Sequence, residues 1–186
     1  MLFRSRRYGS RPASGVSWFE ARAYARWLNA QLRPARARSG WPGNYEVMLP
    51  TETQWERAAR AASLTEADER RWPWHGDDSD IDQRANVNQL IGNASVVGLY
   101  PADPMGLYDM AGNVWEWMDN ADGSVSGPAK RVRREAKKVD FLSLRGGSWI
   151  FQPVLAASSF RFRLPPDNWD YGVGFRIVLS LAENET

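Results

Sequence analysis

The sequence predicts a single α+β domain, and three observations carry that prediction. Two segments near the N-terminus show helical periodicity behind a capping motif. Residues 64–120 show no long periodic segment, and the last third of the chain breaks into short strand-like runs.

The first helix begins at Ser17-Trp18-Phe19-Glu20, which has the form of a capping box. A hydroxyl and a carboxylate three residues apart satisfy each other's free backbone donors. Behind it, Ala21, Tyr24, Ala25, Trp27 and Leu28 mark one apolar stripe, and the pattern fades from Arg33. Thr51-Glu52-Thr53-Gln54 repeats the signature after Leu49-Pro50, followed by Trp55, Ala58, Ala59 and Ala62. Both helices are expected to be amphipathic covers for a sheet. From Leu64 to Asn120 the chain turns to Gly, Asn, Asp, Pro and Trp. So long an irregular stretch needs tryptophan packing, a bound ion, or both to hold it. Short strands are expected at 141–144, 148–151, 159–163 and 174–180.

Bulk composition fits this plan. The chain has 186 residues, 43% of them hydrophobic and 25% charged, which suits one soluble domain with a sizeable core. Ten tryptophans supply large anchors for a core or a binding surface. The net charge of +2 gives no general affinity for nucleic acid, and the one dense basic run, 129–140, reads as a solvated loop. There is no cysteine, which excludes disulfides, thiolate metal sites and thiol nucleophiles. No apolar run is long enough to span a membrane, and the N-terminus is basic without the apolar core of a secretory signal. A cytoplasmic location is therefore the default expectation, with no membrane segment.

Five segments, VSWFEARAYARWLN, MLPTETQWERAARAA, GLYDMAGNVWEW, RGGSW and VGFRIV, then stand in a telling order. Together they resemble the sulfatase-modifying-factor, or formylglycine-generating-enzyme, domain across residues 15–179. The resemblance implies a C-type lectin fold of the formylglycine-generating-enzyme type. Two helices would pack on short twisted antiparallel strands with long irregular loops. Residues 1–14 would be a basic leader or a partial first strand, 15–180 the domain, and 181–186 a tail.

Departures from the enzymes of that family bear on activity. Their two cysteines after the Gly-Gly pair, which carry the chemistry and bind copper, correspond here to Phe151 and Ala156. The related iron-dependent sulfoxide synthases need several histidines, and His75 is the only one. The resemblance with these replacements implies neither copper nor iron and a domain that is not an enzyme. An unrecognised site using His75, Asp77 and Asp78 is the minor alternative. In the enzymes the segment matching GLYDMAGNVWEW wraps a calcium ion. Carried over, its ligands are the side chains of Asp109 and Glu116 and the carbonyls of Gly112 and Val114, a plausible set for a hard cation. A weaker second site would use Asn86 and Val87.

After Arg145 the chain is also similar to the variable proteins of diversity-generating retroelements, which share this fold. There, adenine-directed mutagenesis replaces template asparagines while the residues between them stay fixed. RGGSW, the arginines Arg161 and Arg163, the Pro-Asp-Asn of residues 166–168 and VGFR read as such a frame within a variable region of about 145–176. The replaced positions would be Ile150, Phe151, Val154, Leu155, Phe160, Phe162, Leu164, Asp170, Tyr171 and Gly172. Mutating the adenines of asparagine codons cannot produce Lys, Glu, Gln, Met or Trp, and none of these residues stands there. The resemblance implies a ligand-binding protein with a diversified C-terminal surface, its ligand another protein, with no nucleic-acid partner and an open oligomeric state. The competing expectation is an inactive modifying-factor domain serving as a constant interaction or sensor module.

Overall fold

The structure is a computed structural model that describes residues 9–38, 45–60, 71–74, 76, 78–119 and 140–181. His75, Asp77, the basic run up to residue 139 and the tail from residue 182 lie outside the described residues.

Helix α1 runs from Trp18 to Arg38. Its capping box forms as written, with Ser17 N donating to Glu20 Oε2 at 2.9 Å and Glu20 N donating to Ser17 Oγ at 3.3 Å. Ala21 and Ala25 face the core, whereas Trp27 is exposed beside Tyr24. The helix outruns the apolar pattern because its last turns are tied by side chains. Past Pro34, Arg36 donates to the carbonyl oxygens of Tyr45 and Asn29. This carries the chain into β1, Tyr45–Met48. Helix α2, Glu52–Ala59, has its full capping box on Thr51 and Gln54 and buries Glu52, Trp55 and Ala59.

Among the described residues, the irregular middle contains a 3-10 turn, Asp78–Asp80, leading into a short helix, α3, Ile81–Arg84, before β2, Trp115–Trp117. Tryptophan packing holds much of it. Trp72 and Trp74 stack at 5.7 Å and 7° within a cluster with Ile81, Val87, Ala111 and Ala156. The remaining strands are β3, Leu142–Arg145; β4, Phe162–Leu164; β5, Val173–Gly174; and β6, Val178–Leu181. One sheet has the order β4-β3-β2-β5, and β1 pairs with β6 in a separate ribbon. All pairings are antiparallel except β2 with β5, which is parallel.

The fold is mixed α+β with long irregular loops, as the sequence predicts. Two details differ. Residues 148–151 form a turn and not a strand, because Gly146 and Gly147 take φ of +94° and +75° and lead the chain out of the sheet after Arg145. The strands at 45–48 and 115–117 carry no long alternating pattern and escape a periodicity reading.

The main core gathers Trp18, Ala21, Leu49, Trp115, Trp117, Leu142, Leu144 and Val173. Two indole donors stitch α1 to β2 across it. Trp18 Nε1 donates to the Met118 carbonyl at 3.0 Å, and Trp117 Nε1 to that of Val16 at 2.9 Å. Residues 10–14 lie against the same body: Ser10 accepts from Val97 N at 2.7 Å, and Ser14 bridges to Gly174.

Candidate functional site

The residues that follow β3 are built from a rigid base. Arg145, almost fully buried, leaves β3 over the ring of Trp55 and pairs with Glu56. Its Nε lies 3.8 Å from buried Glu52, which Arg161 also meets at 2.7 Å. Nη1 of Arg145 donates to the Phe160 carbonyl at 2.7 Å. Burial pulls the Arg145 pKa below its ordinary value, while Glu56 and Glu52 oppose that shift. Two glutamates on α2 thus hold two arginines of the C-terminal segment. This works because Glu52 and Glu56 are four residues apart and share one helix face.

The glycine pair is enforced by contact as well as by backbone. A Cβ on Gly147 would sit 2.7 Å from Cα of Ala156. Gly146 accepts at 2.7 Å from Gly112 N, and Trp149 N donates to Asn113 at 2.9 Å. These bonds join RGGSW to the GNVWEW segment.

From this base the ten candidate positions divide. Phe151, Val154, Phe162, Asp170 and Tyr171 are exposed, Tyr171 at 72%. Three rings meet one fixed tryptophan: Phe162 stacks on Trp115 at 5.4 Å and 27°, Phe160 lies at 6.1 Å and Phe151 at 6.2 Å. Tyr171 stands edge-on to exposed Trp169 at 6.2 Å, a residue outside the ten expected positions. Ile150 is half-buried.

Four positions need correction as free surface. Leu155, Phe160 and Leu164 are half-buried and pack on the main core, Phe160 on the second cluster as well. Gly172 is buried; a Cβ there would lie 2.9 Å from Ile150 Cδ1 and from Ser148 Oγ, and its carbonyl accepts from Trp115 N at 2.7 Å. The apolar surface is therefore narrower than the sequence pattern implies. The alternation of Phe160, Phe162 and Leu164 with arginines does not map onto one outward face, because the strand begins only at Phe162.

Of the groups expected to hold calcium, Asp109, Val114 and Glu116 line a cleft of about 330 Å3 with Leu107, Tyr108 and Arg176, and Gly112 does not. Glu116 is engaged at both oxygens: Arg176 donates to Oε1 and Oε2 at 2.7 and 2.6 Å, and Trp55 Nε1 to Oε2 at 2.6 Å. Asp109, at φ of +54°, accepts from Gly98 N at 2.9 Å, and burial raises its pKa. The cation against Glu116 is thus a guanidinium, so the set does not fit calcium as arranged. At the second site Val87 is fully buried. Asn86 is buried with Nδ2 on the Asn93 carbonyl, while its Oδ1 has no hydrogen-bond partner among the described residues.

Compared with known proteins, the chain matches the family described as the sulfatase-modifying factor enzyme 1-like domain over residues 3–181. It belongs to that family. Among its relatives is a hercynine oxygenase of Mycobacterium tuberculosis, 34% identical over 166 residues, which are 86% of this chain and 33% of that protein. The chain thus spans about a third of that relative's length. The structure of PvdO from Pseudomonas aeruginosa superposes with a TM-score of 0.71 at 24% identity, covering 92% of this chain and 63% of that one. Variable protein 1 of Treponema denticola gives 0.68 at 21% identity, covering 91% and 71%. Both share the fold.

The hercynine oxygenase relative corrects the expectation that this domain is no enzyme. A missing thiol and a single histidine were the grounds for it. They speak for the matched third of that relative alone.

No helix among the described residues is long and apolar enough to cross a membrane.

Proposed function

We propose that this domain binds ligands on the face formed by Phe151, Val154, Phe162 and Tyr171, and that retroelement mutagenesis has set the residues there. The observation that carries this reading is the contrast along residues 145–171. Arg145, Gly146, Gly147 and Ser148 are buried and bonded into the fold, while Phe151, Val154, Phe162 and Tyr171 stand out from it. Exposed aromatics carried on a rigid base suit a protein ligand, because such anchors dominate binding energy at interfaces. The fold shared with variable protein 1 of Treponema denticola supports the same reading.

Two measurements test it. The DNA beside the gene should hold a near-copy of the segment encoding residues 145–176 that differs at adenines, together with a reverse transcriptase. Without both, the retroelement part fails. Selection of a displayed protein-fragment library on the purified chain should yield binders that Tyr171→Asn and Phe162→Asn release while leaving the fold intact. Binders indifferent to both variants would place recognition elsewhere.

A second reading rests on the hercynine oxygenase relative. In it the domain is one part of an oxygenase, and the exposed aromatics meet the rest of that enzyme. Turnover of hercynine by the full-length gene product would establish this reading, and its absence would remove it.

A further inference from the structure

We propose that Trp115 is the specificity-determining residue of this face, because it couples positions 151, 160 and 162 into one composite surface. The proposal rests on the ligand-face reading above for its functional meaning, though not for its geometry.

Trp115 is 1% exposed, so no ligand reaches its ring without moving a neighbour. Its backbone is fixed on both sides. The N–H donates to Gly172 at 2.7 Å, and the residue pairs with Val173 across the parallel β2–β5 contact. The next two residues are anchored as well, Glu116 by Arg176 and Trp55, and Trp117 by the Val16 carbonyl. The indole Nε1, by contrast, is buried with no hydrogen-bond partner among the described residues. Among the described residues, ring orientation is therefore set by packing, to which Phe151, Phe160 and Phe162 contribute beside the main core. Their interplanar angles to the indole are 61°, 40° and 27°. Because one indole serves three rings, replacing any one of them changes the surface on which the other two rest. Buried contacts are close-packed and do not yield independently.

The consequence for recognition is direct. A partner meeting Phe162 also senses what stands at 151 and 160, although Phe151 lies in a different segment of the chain. Useful combinations at these positions are then selected as sets that fit one tryptophan. Substitution at one position alone is a poor guide to the surface that results. The composite surface suits a flat apolar group presented by a partner protein.

A mutant cycle tests this on the full chain alone, so its outcome is separate from any search for a ligand or template. Phe151→Asn, Phe162→Asn and the double variant are melted in denaturant, in the parent and in Trp115→Phe and Trp115→Leu backgrounds. In the parent, the folding constant of the double variant should depart about fivefold or more from the product of the single effects, the size expected for residues sharing a partner. Trp115→Phe should preserve a departure, and Trp115→Leu should bring it to within about twofold. Additivity in the parent overturns the proposal whether or not Trp115→Leu folds. A departure that survives unchanged in Trp115→Leu overturns it too, since the coupling would then bypass the indole. An NMR readout covers loss of that variant: the Trp115 indole resonance, assigned by its disappearance in Trp115→Phe, should move with each phenylalanine replacement. A resonance unmoved by both replacements also counts against the proposal.

Discussion

Arg145 on β3 reaches the Phe160 carbonyl at 2.7 Å, and so fixes the start of the exposed segment from below. The same guanidinium faces Glu52 and Glu56, of which Glu52 is fully buried. Removing it leaves a carboxylate in the interior with one fewer counter-charge. Arg145→Met is expected to destabilise by about 3–5 kcal/mol, the range for breaking a buried pair from one side. Arg145→Lys should recover little, since a compact ammonium lacks the planar five-donor fork that spans Glu52, Glu56 and the Phe160 carbonyl. Denaturant melts of both variants check this; a loss below about 1 kcal/mol for Arg145→Met would show that Arg161 alone holds Glu52.

Exposure divides the aromatic positions into two stability classes. Tyr171→Asn should change stability by roughly 0.5 kcal/mol or less, as at other surface sites. Phe160→Asn, packed on two core clusters, should cost several times more, and Trp117→Ala about 3–5 kcal/mol. Equal losses at positions 160 and 171 would contradict the burial pattern.

Backbone and space constrain the glycines differently. Gly147→Ala combines a φ of +75° with a 2.7 Å approach to Ala156, so a loss of roughly 1–3 kcal/mol is expected. Gly15 has a similar φ but open space around it, and Gly15→Ala should cost only about 1 kcal/mol. Gly172→Asn, which restores the asparagine of an inferred template, should destabilise through Ile150 and Ser148. Were Gly172→Asn neutral, the position would be free to vary after all.

The Arg176–Glu116 pair sets an expectation for calcium. With both carboxylate oxygens held by Arg176, chelation should leave the melting temperature unchanged. Arg176→Met should create a calcium response by vacating Glu116. An ion bound by the native state alone at a hundredfold excess over Kd would then add about 2.7 kcal/mol. A fall in melting temperature on chelating the parent chain would show that the ion displaces the guanidinium.

The helices and their caps were legible from sequence because capping boxes and 3.6-residue periodicity are local signals. Ser17 with Glu20, and Thr51 with Gln54, form as read. The exposed positions were legible only in part. Phe162 and Phe160 share chemistry and neighbouring arginines, yet Phe160 turns into the core because its carbonyl is drawn to Arg145 before the strand begins. That depends on a contact across 15 residues and has no local signature. The Arg176–Glu116 pair was hidden for the same reason, its members standing 60 residues apart. Trp115, the hub of Phe151, Phe160 and Phe162, lay inside a motif noted for its carboxylate, and a tryptophan with no period around it gives no sign of what it will touch.

The two glutamates of α2 also set a timetable. Arg161 meets Glu52 across 109 residues and Arg145 meets Glu56 across 89, so this clamp closes only after most of the chain has been brought together. Long-range closures of this kind slow folding and depend on the frame. Phe151 and Tyr171, exposed on the finished surface, take no part in the clamp. Changes at these two positions should therefore register mainly in how fast the native state opens and leave the folding rate nearly constant. The chain can accept new outward residues there without having to learn to fold again.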